Sequence, residues 1–110
     1  MPPIQSVREY VDALRGSFDP SRAVGQTATV QYIFTGAVTG ACYMRVVDGA
    51  LTVGEGQTPN PTVTVTSDFA TWMRVVNYDH DPLLAWQEGL YTVDGSMEQL
   101  IECDAWFPRP

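Results

Sequence analysis

Lysine is absent from this chain, and its six arginines, Arg8, Arg15, Arg22, Arg45, Arg74 and Arg109, stand singly. A surface that tracks phosphates needs clustered cations, so the sequence argues against a nucleic-acid partner. The net charge of −7 opposes long-range attraction to anionic membranes. No apolar run approaches the ~20 residues of a membrane span, which argues against stable insertion. Residues 1–6 lack the basic stretch and apolar run of a signal peptide. The ending Trp106-Phe107-Pro108-Arg109-Pro110 is not a peroxisomal Ser-Lys-Leu. Cysteine is scarce too: Cys42 and Cys103 match no metal or redox spacing, so two buried free thiols in a reducing cytoplasm are expected.

What is present points to one folded domain. A chain of 110 residues fits a single domain that buries about two-thirds of its unfolded surface. A composition 45% hydrophobic and 11% aromatic excludes a disordered polymer. Ser6 and Glu9 form a capping box ahead of a helical stripe, Val7, Tyr10, Val11 and Leu14, which Gly16 is expected to end. Residues 28–34 then alternate with period two, placing Ala28, Val30, Tyr32 and Phe34 on one side. Cys42, Met44 and Val46 alternate in the same way, and Asp48-Gly49 is a two-residue hairpin signal leading to Leu51 and Val53. Residues 62–66 make a fourth strand with Val63 and Val65 facing one way.

There the period changes. Ser67 is expected to cap a helix carrying Phe69, Trp72, Met73 and Val76. Asp81 and Pro82 open a short helix that ends at Gly89 and carries Trp86 as a core-facing candidate, and residues 90–93 form a last strand. Ser96 and Gln99 cap a final helix bearing Met97, Leu100 and Ile101. The order is helix, four strands, two helices, strand, helix. Hairpin connections imply an α+β domain with a five-stranded, mainly antiparallel sheet and helices covering one face.

Several segments resemble the sterol carrier protein 2 domain, the non-specific lipid-transfer family. They are the strand from Val30 to the Asp48-Gly49 hairpin, and Val63-Thr64-Val65-Thr66-Ser67-Asp68-Phe69 running from strand into helix. Asp81-Pro82-Leu83-Leu84-Ala85-Trp86-Gln87-Glu88-Gly89 and the closing Gly95-Ser96-Met97 complete the pattern in the family's order. The family usually carries lysines around its last strand, where this chain has Leu90 and Thr92, and animal members are basic where this chain is acidic. The resemblance is thus to a bacterial-type, stand-alone member whose ligand need not be a sterol. It implies a hydrophobic tunnel between sheet and helices.

Such a tunnel would take a fatty acyl, sterol-like or isoprenoid ligand without needing a hydrogen bond. Burying an acyl methylene gives ~0.8 kcal/mol, about 13 kcal/mol gross for a chain of roughly 16 carbons. An empty void of about 300 Å³ would cost about 7 kcal/mol, so the chain should carry a lipid or partly collapse without one. From the strands the expected ligand contacts are Tyr32, Phe34, Met44, Val46, Val63, Val65, Tyr91 and Val93. From the helices they are Phe69, Trp72, Met73, Val76, Met97, Leu100 and Ile101. Helical residues are the better candidates for the mouth, because helices part from a sheet more readily than strands part from one another.

Catalytic chemistry finds little support. Asp79-His80-Asp81 sets the single histidine between two carboxylates, but Asp81 is already used as a cap and one histidine is a poor zinc site. Gly54-Glu55-Gly56 follows no strand–helix unit and lacks a third glycine. Ser67 and Ser96 read as caps, and Cys103 would need His80 beside it to act as a nucleophile. The expectation is a non-enzymatic lipid carrier without cofactor or metal that presents its ligand to a partner enzyme. Its oligomeric state is open. The alternatives are a protein-contact domain with a vestigial tunnel, or a small enzyme using Asp79, His80 or Tyr32.

Overall fold

Ser6 begins the first helix as its sequence demands, its hydroxyl accepting from the Glu9 amide at 3.1 Å. The Glu9 carboxylate reaches back to the Gln5 amide at 3.2 Å, so two otherwise orphaned amides are satisfied. The computed structural model describes residues 4–77 and 81–108. Its elements are α1 (Val7–Ser17), β1 (Ala28–Thr35), β2 (Gly40–Val47), β3 (Ala50–Glu55), β4 (Val63–Asp68), α2 (Phe69–Val76), α3 (Pro82–Gln87), β5 (Tyr91–Asp94) and α4 (Met97–Asp104). A 3-10 turn at Pro20–Arg22 precedes β1. Among the described residues no helix is long and apolar enough to cross a membrane.

The five strands lie in the order β3-β2-β1-β4-β5. Three pairings are antiparallel; β1 and β4 run parallel, with Tyr32 opposite Val65. The architecture is therefore α+β with a mainly antiparallel, mixed sheet. Asp48 and Gly49 turn β2 into β3 with φ of 50° and 80°, the doubly positive pair that matches strand twist in a two-residue hairpin. A side chain at Gly49 would also meet the Ala23 carbonyl at 3.2 Å.

One sheet face is the core. Val30, Cys42, Met44, Val46, Val63 and Val65 are fully buried there under α1, α2 and α4, while their neighbours Tyr43, Arg45, Thr64 and Thr66 are half-buried on the opposite, polar face. The β3–β4 connection crosses that polar face, clamped by Gln31. The Gln31 amide donates to the Cys42 carbonyl at 2.9 Å and the Gly56 carbonyl at 3.1 Å, and its Oε1 accepts from the Thr58 amide at 2.7 Å. Arg45 adds a 2.6 Å bond to the Thr58 hydroxyl. Gln31→Ala strands these buried partners and should lower unfolding stability by about 1–3 kcal/mol, read as a lower urea midpoint. An unchanged midpoint would show that the crossing loop is held some other way.

Four local expectations need correction. The β4 ladder extends through Ser67, which pairs with both Phe34 and Tyr91, so Asp68 rather than Ser67 caps α2, accepting from the Thr71 amide at 3.1 Å. The first helix runs through Gly16 to Ser17, whose hydroxyl donates to the Ala13 carbonyl, and extended Phe18 ends it. In α4 the buried stripe is Leu100 and Cys103; Ile101, one position off it, is 46% exposed. Trp86 is 39% exposed, since Ala85 is the residue that α3 turns inward.

Candidate binding cleft

Between α1, the C-terminal end of α2, α4 and the residues that follow it, a cleft of about 970 Å³ opens to solvent. Tyr10, Ala13 and Leu14 line it from α1, Tyr32 from β1, Trp72 and Val76 from α2, Leu100 and Asp104 from α4, and Phe107 beyond. Ile4, Glu9, Asp12, Gly16, Ser17, Asn77 and Pro108 complete the lining.

Its floor is aromatic. Tyr10 meets Tyr32 edge-on at 5.3 Å, Tyr32 lies 5.8 Å from Trp72, and Trp72 meets Tyr91 edge-on at 5.3 Å. Phe34 joins Tyr10 at 5.8 Å and Phe69 at 5.0 Å. Such geometries contribute about 0.5–1.5 kcal/mol per pair beyond area burial. The indole N–H of Trp72 donates to the Tyr10 hydroxyl at 3.0 Å, and Tyr10 is hydrogen-bonded in turn to Tyr32. Every described buried side-chain nitrogen and oxygen is satisfied.

Burial holds the Tyr10 and Tyr32 hydroxyls well above the ordinary phenol range, reinforced for Tyr32 by Tyr10. Both stay neutral at physiological pH, which makes Tyr32 a poor base. Tyr91 is pushed up to about 12, first by burial and then by Asp104 and Asp81, and its hydroxyl donates to the Pro82 carbonyl, tying α3 to β5. Both cysteines are buried and unpaired, and burial raises each thiol to about 12. A raised folded pKa favours the protonated form, so its stabilising contribution is complete below the ordinary thiol value of 9.0. Unfolding free energy should therefore decline between about pH 9 and 12, and both thiols should resist a disulfide reagent at pH 8 until the chain unfolds. Rapid labelling of the folded protein would contradict this.

Of the sequence candidates, Tyr32, Trp72, Val76 and Leu100 line the cleft. Phe34, Phe69 and Tyr91 form the aromatic row behind it. Met44, Val46, Val63, Val65 and Met73 are buried in the core away from the cleft, Val93 and Met97 are half-buried, and Ile101 faces largely outward. Tyr10, Ala13, Leu14, Phe107 and the carboxylates of Glu9, Asp12 and Asp104 were not among the candidates. The stripe through Tyr10 and Leu14 was the available signal. Asp79 and His80 lie outside the described residues, while Asp81 caps α3, accepting from the Leu84 amide at 2.9 Å. Among the described residues no group of three His, Cys, Asp or Glu side chains could hold a metal.

No protein-family sequence model and no curated protein sequence matches the chain. Solved structures do. The inverting sec-alkylsulfatase Pisa1 of Pseudomonas sp. superposes with a TM-score of 0.86 at 22% identity over 96% of this chain. The chain spans only 17% of that enzyme's length. Apo sterol carrier protein 2 of Yarrowia lipolytica gives a TM-score of 0.71 at 16% identity, over 90% of this chain and 87% of that one. The palmitated sterol carrier protein 2-like protein of Aedes aegypti gives 0.64 at 22% identity, over 96% of both chains. The fold is that of sterol carrier protein 2.

Proposed function

We propose that the chain binds a ligand with a long apolar tail in the cleft beside α1, without catalysing a reaction on it, and presents it to an enzyme. The cleft itself carries the proposal: its volume of about 970 Å³ lies within the ~300–1,000 Å³ usual for small-molecule sites. Its deep wall is hydrocarbon and aromatic carbon. At ~0.8 kcal/mol per buried methylene, a tail of about 12 carbons gives roughly 10 kcal/mol gross, enough for micromolar binding after ordering costs. The palmitated Aedes aegypti protein supports an acyl ligand. The place of this fold within a longer sulfatase supports work beside an enzyme.

Native mass spectrometry of freshly purified protein, followed by titration with fatty acids, acyl-CoAs, sterols and uncharged alkyl probes, tests the reading. One bound molecule per chain is expected, with quenched or shifted Trp72 fluorescence. Ligand at about 100 times Kd should add about 2.7 kcal/mol of stability. No adduct and no thermal shift across the panel would overturn it.

A protein-contact reading has its own observation. Leu83, Leu84, Trp86 and Leu90 are all exposed around α3, more apolar surface in one place than a short helix usually leaves to water. Presentation to an enzyme would use such a face, so the two readings are compatible.

A further inference from the structure

We propose that the cleft selects amphiphiles with a positively charged head, an amine or quaternary ammonium on an alkyl tail, over neutral and anionic ones of equal length. This rests on the cleft being the binding site. Three carboxylates, Glu9, Asp12 and Asp104, line it together with the rings of Tyr10, Tyr32 and Trp72, and among the described residues no arginine does. The lining thus offers an aromatic base for the tail and negative charge around it.

The carboxylates differ in how much charge they offer. Asp12 is paired with Arg15 at 3.1 Å, and both side chains are largely exposed, so its share is screened. Glu9 accepts from neutral donors, the Gln5 amide and the Ser6 hydroxyl. Asp104 is half-buried on α4 and lines the cleft with Leu100. Of the described arginines other than Arg15, Arg22 bonds Asp19 and the Ala105 carbonyl, Arg45 bonds Thr58 on the opposite sheet face, and Arg8 and Arg74 are exposed outside the lining. A head group leaving the apolar floor reaches the part of the lining that carries Glu9, Asp12 and Asp104. An anionic head meets the same charges and is repelled. The net charge of −7 adds a long-range bias of the same sign.

The test compares three dodecyl amphiphiles below their micellar concentrations: dodecyltrimethylammonium, dodecyl maltoside and dodecyl sulfate, by calorimetry at 20 mM and 500 mM NaCl. The expected result is one site, with the ammonium about tenfold tighter than the maltoside and the sulfate weakest. The gap should narrow at high salt, where screening acts within about 4 Å. Dodecyl maltoside should displace the ammonium, which separates cleft binding from adsorption to an acidic surface. Glu9→Gln keeps the helix cap while removing charge, and together with Asp104→Asn it should shrink the ratio of ammonium to maltoside affinity to about threefold or less. Equal binding of all three, tightest binding of the sulfate, or several ammonium ions that maltoside does not displace would overturn charge selection and leave apolar binding standing. Binding of none would overturn both.

Discussion

Replacing Trp72 by alanine is expected to lower the melting temperature by about 15 °C, the largest stability loss of any single truncation in this fold. The indole is 4% exposed and stands at the junction of three elements. It packs on Tyr32 of β1 and Tyr91 of β5 from its own position on α2, and donates to Tyr10 of α1. Truncating a buried Trp costs about 3–5 kcal/mol, and each kcal/mol lowers Tm by roughly 4–5 °C at this chain length. Trp72→Phe separates packing from hydrogen bonding. It keeps a ring but removes one of the two hydrogen-bond partners of the buried Tyr10 hydroxyl, at about 1 kcal/mol. Adding Tyr10→Phe removes the partner, so the double variant should lose less than the sum of the singles. Strict additivity in thermal melts would mean that the 3.0 Å bond contributes nothing beyond shape.

The sheet was legible in the sequence because period-two alternation reports burial directly. Tyr32, Phe34, Cys42, Met44 and Val46 all face inward, as their spacing requires. The turn chemistry was legible for the same kind of reason, since only a doubly positive φ suits Asp48-Gly49 at a hairpin. Helix borders were less so. Ser67 and Asp68 are both competent caps, and the choice between them depends on how far β1 and β5 extend the ladder, which is tertiary information.

The cleft was the least legible part. Alternation says that Met44 and Val65 point toward the helices, but not whether a helix touches them or leaves a gap. Here the layers touch: Tyr32, Phe34, Phe69, Trp72 and Tyr91 interlock over the middle of the sheet. The gap lies at the side, where Phe107 and Pro108 approach α1. Phe107 packs on Phe18 at 5.3 Å, and the Asp19 amide donates to the Trp106 carbonyl at 2.8 Å, so one wall comes from residues with no periodic signal. The 7 kcal/mol void cost expected for an empty tunnel, about 24 cal/mol per Å³, applies to dry cavities. A cleft open along one side fills with water instead. The ligand-free chain should therefore stay folded, and ligand should raise its melting temperature only by mass action.

Ala13→Trp should abolish binding of an uncharged alkyl probe, weakening it by more than about 30-fold, roughly 2 kcal/mol, while shifting the melting temperature by only a few degrees. Ala13 is half-buried on α1 and lines the cleft between Tyr10 and Ser17. Because Ala13 lines the cleft, an indole there occupies volume a tail would use. Its cost to the helix is a propensity difference of about 0.5 kcal/mol, offset by apolar area buried against the cleft wall. Overpacking costs of about 1–3 kcal/mol arise where a core is already full, and an unchanged melting temperature would itself show that this site is empty. Arg8→Trp, exposed on the same helix and outside the lining, is the control. With an uncharged probe its lost positive charge is silent. Undiminished binding by the Ala13 variant would place the ligand elsewhere and remove the cleft from the proposed function, whereas loss in both variants would point to α1 as a whole. Loss in Ala13→Trp alone, with stability kept, is the outcome that only a tail lying along α1 produces.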